Sequence, residues 1–485
     1  MKILSKILSS KYALIIAAVL VFASCRKNMS DLNVNPKAPA SVPGETLFSN
    51  AEKGLADALT TPNVNVGIFE LIAQYWAETT YPQESQYDLG NRDIPLNWWG
   101  AIYAVIGDFN QSIVLMREQQ QAATLPEDIA AYTNKIAVAK IMRAYSYSIL
   151  VNTFGDIPYT EALQGGENTT PKYDNQKDVY YALLDSINAS LKEIDVTAGD
   201  FGAADIIYNG DLNEWLKFGN SIKLKLGIII ADVDAARAKT EVESAAPNVF
   251  TSNDDNALLR YLQNPPNVNP IWTNLVQSNR NDFVIANTIV DTMNAHNDPR
   301  REFYFTQTSS GKYIGGVYGA GNSFSNYSHP SDKVEAPDFP AIIMTYAEDE
   351  FFLAEAAARG FNVNGTAEEH YNNGVTASIE FWGGSAKDAQ DYLAQPVNQF
   401  DAANWKKSIG VQAWINYYTD GFDAWIEQRR LDYPQLKAPP SAVTAFPVRY
   451  TYPSTEINLN KANYEAASAS IGGDLVTTKL FWDTK

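Results

Sequence analysis

Trp215, Phe218, Ile222 and Leu226 recur every three or four residues, the period of a helix that buries one face, and Asp211 just ahead of them is placed to cap it. The spacing is clearest from Pro126 to Val151, where Ile136, Ala137, Ile141, Ala144, Tyr145 and Ser148 share a face. That helix must stop at Phe154-Gly155-Asp156-Ile157-Pro158, because Gly supplies a C-cap and Pro cannot continue the ladder. Further helices are predicted over Thr46 to Leu59, Val66 to Trp76, from Trp98-Trp99 through Tyr103, Ile106, Phe109 and Ile113, and over Lys177 to Ile194. Near the C-terminus the pattern returns in Tyr346 to Arg359, Ala367 to Phe381 and a helix pair over Trp405 to Arg430. The predicted fold is mostly α, with little β.

The helical pattern breaks in three places. Glu78 to Leu96 is irregular, and Gln263 to Asn281 and Thr306 to Pro340 are rich in Gly, Asn, Ser and Pro with interspersed aromatics. These read as long loops, an insertion around residues 263–340, with a short hairpin around Gly311 to Val317. Long ordered loops in a compact protein are usually functional. The last 45 or so residues read as extended and turn-rich. Helices 346–359 and 367–381 place Ala354, Ala357 and Ala358 at their crossing and resemble a tetratricopeptide-type hairpin.

The N-terminus carries a different signal. Lys2, Lys6 and Lys11 precede an almost wholly apolar run from Tyr12 to Phe22, followed by the small residues Ala23-Ser24 and the only cysteine, Cys25. The run is too short for a membrane span, which needs roughly 20 residues, and reads as an export signal over residues 1–24. Small residues directly before Cys predict cleavage there and lipidation of the Cys25 thiol, with residues 25–43 as a polar, Pro/Asn-rich tether and residues 44–485 as a single domain. Phe22 stands where such signals usually carry an aliphatic residue. A single Cys excludes an internal disulfide, so stability must come from core packing.

The formal charge is −19, and residues 1–24 hold three lysines and no acid, so the remainder carries −22. A field of that sign disfavours nucleic acid and polyanionic glycans and favours neutral or cationic ligands. The 27 Tyr, 21 Phe and 10 Trp exceed what polar loops need, and most of the Phe must serve the core.

Eight segments in fixed order carry a resemblance: DLNVNP (31–36), RAYSYSILVNTFGDIPY (143–159), GDLNEWLKFGNSIKLKL (210–226), NDPR (297–300), YAEDEFFLAEAAARG (346–360), FDAWIEQRRLDYP (422–434), PVRYTYPSTEINLN (447–460) and GGDLVTTKLFWD (472–483). Together they resemble the SusD/RagB family of outer-membrane nutrient-binding lipoproteins, in its SusD-like branch. The resemblance implies a solenoid of tetratricopeptide-like helical pairs with irregular insertions. It also implies a surface-exposed, lipid-anchored protein that caps a SusC-like TonB-dependent transporter and binds an oligosaccharide, or in some members a peptide, without catalysis or cofactor. Most of the segments read as scaffold; Arg429-Arg430, near a helix end, can satisfy the last carbonyls or pair with carboxylates. Outward display rests on the resemblance alone, since Arg26-Lys27 follow Cys25 and no acid appears before Asp31.

Sugar rings stack their C–H faces on aromatic rings and need amide, carboxylate or guanidinium partners for their hydroxyls. Two regions have that composition: Gln74 to Trp99, and the loops of the insertion. The candidate ligand residues are Tyr81, Trp98 and Trp99 from the first, and Trp272, Asn279, Arg280, Tyr313 and Tyr318 from the second. One of two adjacent tryptophans usually faces the core, and Trp76 reads as core. His296, His329 and His370 show no metal spacing, and neither a GxSxG elbow nor a phosphate-binding loop appears. Asn253 to Asn256 lacks the alternation of a calcium loop and reads as a helix cap. A cationic peptide or glycopeptide ligand, and a lipid-anchored glycoside hydrolase with its acids paired in space, remain as alternatives.

Overall fold

The computed structural model describes residues 42–484; Cys25, the export signal and the tether to residue 41 lie outside the described residues. From Gly44 onward the chain forms one unit. Its first half contains α1 (Gly44–Thr60), the one-turn α2 (Phe69–Ile72), α3 (Ile94–Ala122), α4 (Pro126–Phe154), α5 (Gln176–Glu193), α6 (Leu212–Ile229) and α7 (Ala235–Ala245). Within the loop region lies α8 (Asn287–Ala295), and after it come α9 (Tyr346–Ala358), α10 (Ala367–Trp382), α11 (Ala386–Leu393), α12 (Trp405–Asn416), α13 (Gly421–Leu431), α14 (Ser454–Leu459) and α15 (Lys461–Ser470). Consecutive helices pack as pairs, α3 on α4, α6 on α7, α9 on α10 and α12 on α13, the arrangement of a helical-pair solenoid. Among the described residues no helix is long and apolar enough to cross a membrane.

Local chemistry sets the helix ends. α4 opens on Pro126 with Glu127 and Asp128 in its first turn and closes at Gly155, whose φ of 87° only glycine adopts cheaply. The Asp211 carboxylate accepts from the backbone N–H of Asn213 and Glu214 at the start of α6. Capping boxes start α9 (Thr345 with Glu348) and α10 (Thr366 with Glu369). α9 and α10 approach so closely that a Cβ at Gly374 would lie 3.0 Å from the Phe351 ring.

Strand is scarce. β1 (Trp76–Glu78) pairs antiparallel with β3 (Phe283–Ile285), joining Trp76 to Ile285 and Glu78 to Phe283. β2 (Ala257–Leu259) pairs with β4 (Ala341–Met344). Both ladders bridge positions far apart in sequence and bring the irregular segments onto the helical frame.

Several expected elements differ. The helix foreseen over Val66 to Trp76 is cut to α2, because Trp76 enters β1. No hairpin forms over Gly311 to Val317; instead Gly316 donates to Ile285 O at 2.7 Å and its carbonyl accepts from Asn287 N–H at 2.8 Å, so the segment pairs with β3. A Cβ at Gly315 would sit 2.4 Å from the Asn287 Cα, which explains the paired glycines. The C-terminal segment contains α14 and α15 rather than being extended. Asn253–Asp255 forms its own 3-10 turn, capped by Ser252, instead of capping a longer helix.

Seven of the ten tryptophans, including Trp76, Trp98, Trp414 and Trp425, are fully buried. Most aromatic excess is therefore core packing. The core also holds charge. Lys225 of α6 reaches Glu348 of α9 at 2.9 Å and also pairs with Asp423 of α13. The wholly buried Arg300 forks onto Asp298. Arg429 caps the carbonyls of Val448 and Asn152, while Arg430 pairs with Glu427 and Glu355. The NDPR and EQRR segments are thus scaffold.

Candidate functional site

The β1–β3 ladder is the base on which four irregular segments converge. Thr79 continues past β1, its N–H donating to Asp282 O at 2.9 Å and its hydroxyl to Asn281 O at 2.6 Å. The insertion loop is clamped by buried Asn322. Its backbone N–H donates to Thr79 O at 3.0 Å, its amide nitrogen to Glu78 O at 3.0 Å, and its amide oxygen accepts from Val317 N–H at 2.8 Å. Gln86 donates to Gly319 O at 2.9 Å and its own carbonyl accepts from Val443 N–H. Segments 79–93, 279–282, 313–328 and 439–443 thus form one irregular face.

Tyr81 stands on that face, 70% exposed, with φ of 58°. A left-handed backbone is costly for any side chain with a Cβ, and the residue before a proline, here Pro82, is driven toward extended backbone instead. The conformation therefore carries strain that the ring, free of core contacts, does not repay locally; such outliers concentrate at functional sites. Asn279, also left-handed with φ of 55°, and Arg280 are exposed across the junction. Arg280 spends its Nε on Asp282 at 2.7 Å, leaving the rest of its fork open. Beside them is a small cavity of about 170 Å3, lined among others by Val276, Asn279, Arg280, Phe324 and Glu335. The Phe324 ring stacks on His329 with centroids 3.7 Å apart. Burial, with Asp332 nearby, pushes the Glu335 carboxyl up to about 7.

Beneath the first loop lies a carboxyl pair. Burial and the proximity of Glu84 push Glu78 up to about 9, although Ser85 donates to it through its N–H at 3.0 Å and its hydroxyl at 2.7 Å. Arg92 pairs with Glu84. The loop bearing Tyr81 is therefore pinned by a buried acid that accepts from Ser85 under it, a feature with no sequence signature because Glu78 and Glu84 look like ordinary surface acids.

The remaining candidates separate. Trp98 is not on the face: its ring is wholly buried between Phe69 and Phe422, and its Nε1–H donates to Thr153 Oγ1 at 3.2 Å. Tyr318 is also corrected to a buried residue, its hydroxyl donating to Leu71 O at 2.6 Å and its ring packed with Tyr87 and Val284 beneath the loops. Each ring is enclosed on both faces and has none to offer a ligand. Trp99 is half-buried in a separate aromatic group with Tyr103, Phe154, Tyr173 and Tyr452. Tyr313 is half-buried against the Arg301 guanidinium at 5.7 Å. Trp272 is half-buried at the start of the 273–282 segment. Phe324, His329 and Glu335 were missed; Phe324 meets the same test of an aromatic in a Gly/Ser/Asn loop, whereas the other two show only in space.

The face can stack an apolar ring surface on Tyr81 and hydrogen-bond hydroxyls from Asn279 and Arg280. Helical pairs carrying an irregular polar-aromatic face define a class of binding protein. The family model described as SusD-like, starch-binding and associating with the outer membrane matches residues 36–453, and the chain belongs to that family. Its fold is similar to that of a solved chitin-binding protein (TM-score 0.80, 26% identity, 91% of this chain and 100% of the other). It is also similar to a SusD homolog from Bacteroides uniformis (TM-score 0.79, 26% identity, 91% and 99% covered). A chitin-binding SusD homolog from Flavobacterium johnsoniae shares the fold at 24% identity (TM-score 0.76, 91% of this chain and 99% of the other covered). No curated protein matches the chain.

Proposed function

We propose that this protein is an oligosaccharide-binding lipoprotein of the outer membrane. Anchored through Cys25 and displayed outward, it captures glycan on the loop face and delivers it to a SusC-like TonB-dependent transporter, without catalysis. The observation that carries the reading is Tyr81, an exposed ring held in a strained backbone on a loop tied through Thr79 to the segment that carries Asn279 and Arg280. Family membership and the chitin-binding name of a similar structure support a glycan as ligand. An open stacking platform buries little area, so affinities are micromolar or weaker.

The test is isothermal titration of the protein with chito-oligosaccharides, malto-oligosaccharides and basic peptides, followed by analysis of the ligand after incubation. Heats with an unshortened oligosaccharide are expected. Heats with basic peptides alone would move the reading to the peptide alternative, and a shortened ligand would move it to a hydrolase. Delivery is tested separately, by co-purification of a TonB-dependent barrel with the membrane-extracted protein.

A further inference from the structure

A cavity of about 510 Å3, within the size range of small-molecule sites, lies outside the residues of the loop face, where the segment joining α11 to α12 meets the ends of neighbouring helices. α8 borders both regions. Asn287 at its start and Asn294 near its end, which donates to Tyr313 O at 3.2 Å, are bound into the loop face, while His296, just past its end, lines the cavity.

The floor is built and rigid. Gln412, buried, donates to the Tyr392 hydroxyl at 2.8 Å and accepts from Arg300 at 3.0 Å, and Arg300 is itself fixed by Asp298. Buried Asn398 donates to Tyr392 O at 2.9 Å and to His296 O at 3.2 Å, and its own carbonyl accepts from the Tyr371 hydroxyl at 2.8 Å. Every polar group of this floor is paired. The rim is the opposite: Gln399 and Lys407 are exposed and make no hydrogen bond or ion pair among the described residues. The half-buried Tyr433 ring and Val411 supply apolar wall.

We infer that this cavity is a second saccharide subsite, taking one neutral sugar unit. Gln399 offers a donor and an acceptor to hydroxyls or an acetamido group, Lys407 a donor, and Tyr433 a wall for the C–H face. Lys407 has Asp401 as its neighbour in the cavity, so the charges offset and the site does not select a phosphate or a polyanion. Walls so largely polar do not suit an acyl chain. Two modest sites on one protein raise the retention of a long glycan without new contacts at either.

The inference rests on the glycan-binding reading, and the test separates the two. The full protein is titrated calorimetrically with triacetylchitotriose and maltotriose, alongside Tyr81→Ala and the double variant Gln399→Ala/Lys407→Ala. Both substitutions fall on exposed side chains, so melting temperatures stay at the wild-type value. The expected result is a stoichiometry falling from two to one in each variant and loss of all binding when they are combined. Wild-type stoichiometry and affinity in Gln399→Ala/Lys407→Ala overturn the subsite and leave the loop face standing. Binding lost only in that double variant supports the cavity and removes the loop face, and no heat from either sugar with the wild type overturns both.

Discussion

Tyr81 and Trp98 came from one sequence stretch with one expected role, and the structure predicts opposite consequences for their removal. Trp98→Ala deletes a fully enclosed ring that packs on Phe69 with centroids 4.8 Å apart and donates to Thr153. Truncations of this kind cost about 3–5 kcal/mol. With an unfolding entropy of about 2.1 cal/mol/K per residue, a unit of this length loses roughly 3–5 °C in Tm. Tyr81→Gly removes a ring that is 70% exposed, so at 25 cal/mol per Å2 it forfeits at most about 1.5 kcal/mol of burial. The same change relieves a left-handed backbone worth roughly 1–2 kcal/mol. The two terms offset, and Tyr81→Gly should melt within about 1–2 °C of wild type. The assay is scanning calorimetry of both variants beside titration with the oligosaccharide that the wild type binds. Trp98→Ala should melt early yet bind normally at a temperature where it is folded; Tyr81→Gly should melt normally and bind at least tenfold more weakly at the loop-face site. A Tyr81→Gly variant with wild-type affinity, or a Trp98→Ala variant with wild-type Tm, would refute the assignment of one ring to the ligand and the other to the core.

The other predictions concern buried charge and the anchor. Glu78 has its folded pKa raised from 4.5 to about 9, so the fold keeps a proton that the unfolded chain releases, and stability declines as pH rises between those values. Glu78→Gln should therefore flatten that decline and exceed wild type by about 1–3 kcal/mol at pH 8 in denaturant titrations, an equal slope counting against it. Burial works against the charge on Lys225, but Asp423 and Glu348 outweigh it and hold the ammonium above the ordinary lysine range. Lys225→Met leaves those carboxylates uncompensated and should cost about 3–5 kcal/mol, more at pH 8 than at pH 5, where Glu348, its carboxyl pushed up to about 7 by burial, can take up a proton. Cys25→Ser should move the protein from the membrane to the soluble fraction and abolish labelling by a radioactive fatty acid; labelling that persists would exclude Cys25 as the attachment point.

The helical frame was legible because its causes are local. Asp211, Pro126, Gly155 and the Thr345–Glu348 box each satisfy or terminate a backbone ladder within a few residues, and the apolar period shows which face is buried. The family was legible for the same reason, since its landmarks are scaffold segments such as the buried Asp298–Arg300 fork. Neighbouring residues with the same chemistry could not be sorted that way. Trp98 and Trp99 differ only in the helix face they occupy, and Tyr318 differs from Tyr81 only in what lies above it. Whether Tyr313 or Trp272 reaches a ligand likewise depends on contacts that no local pattern records. The loop face exists because β1 pairs with a strand some two hundred residues away and Asn322 ties the insertion to Thr79. Sequence by itself determined which segments are helical, where they stop and which family frame they build, because those follow from bonds and periods within one or two turns. Only the tertiary structure decided which aromatic rings stay in water, which acids lose it, and where a cavity remains between helix ends, because exposure is a property of everything packed around a side chain.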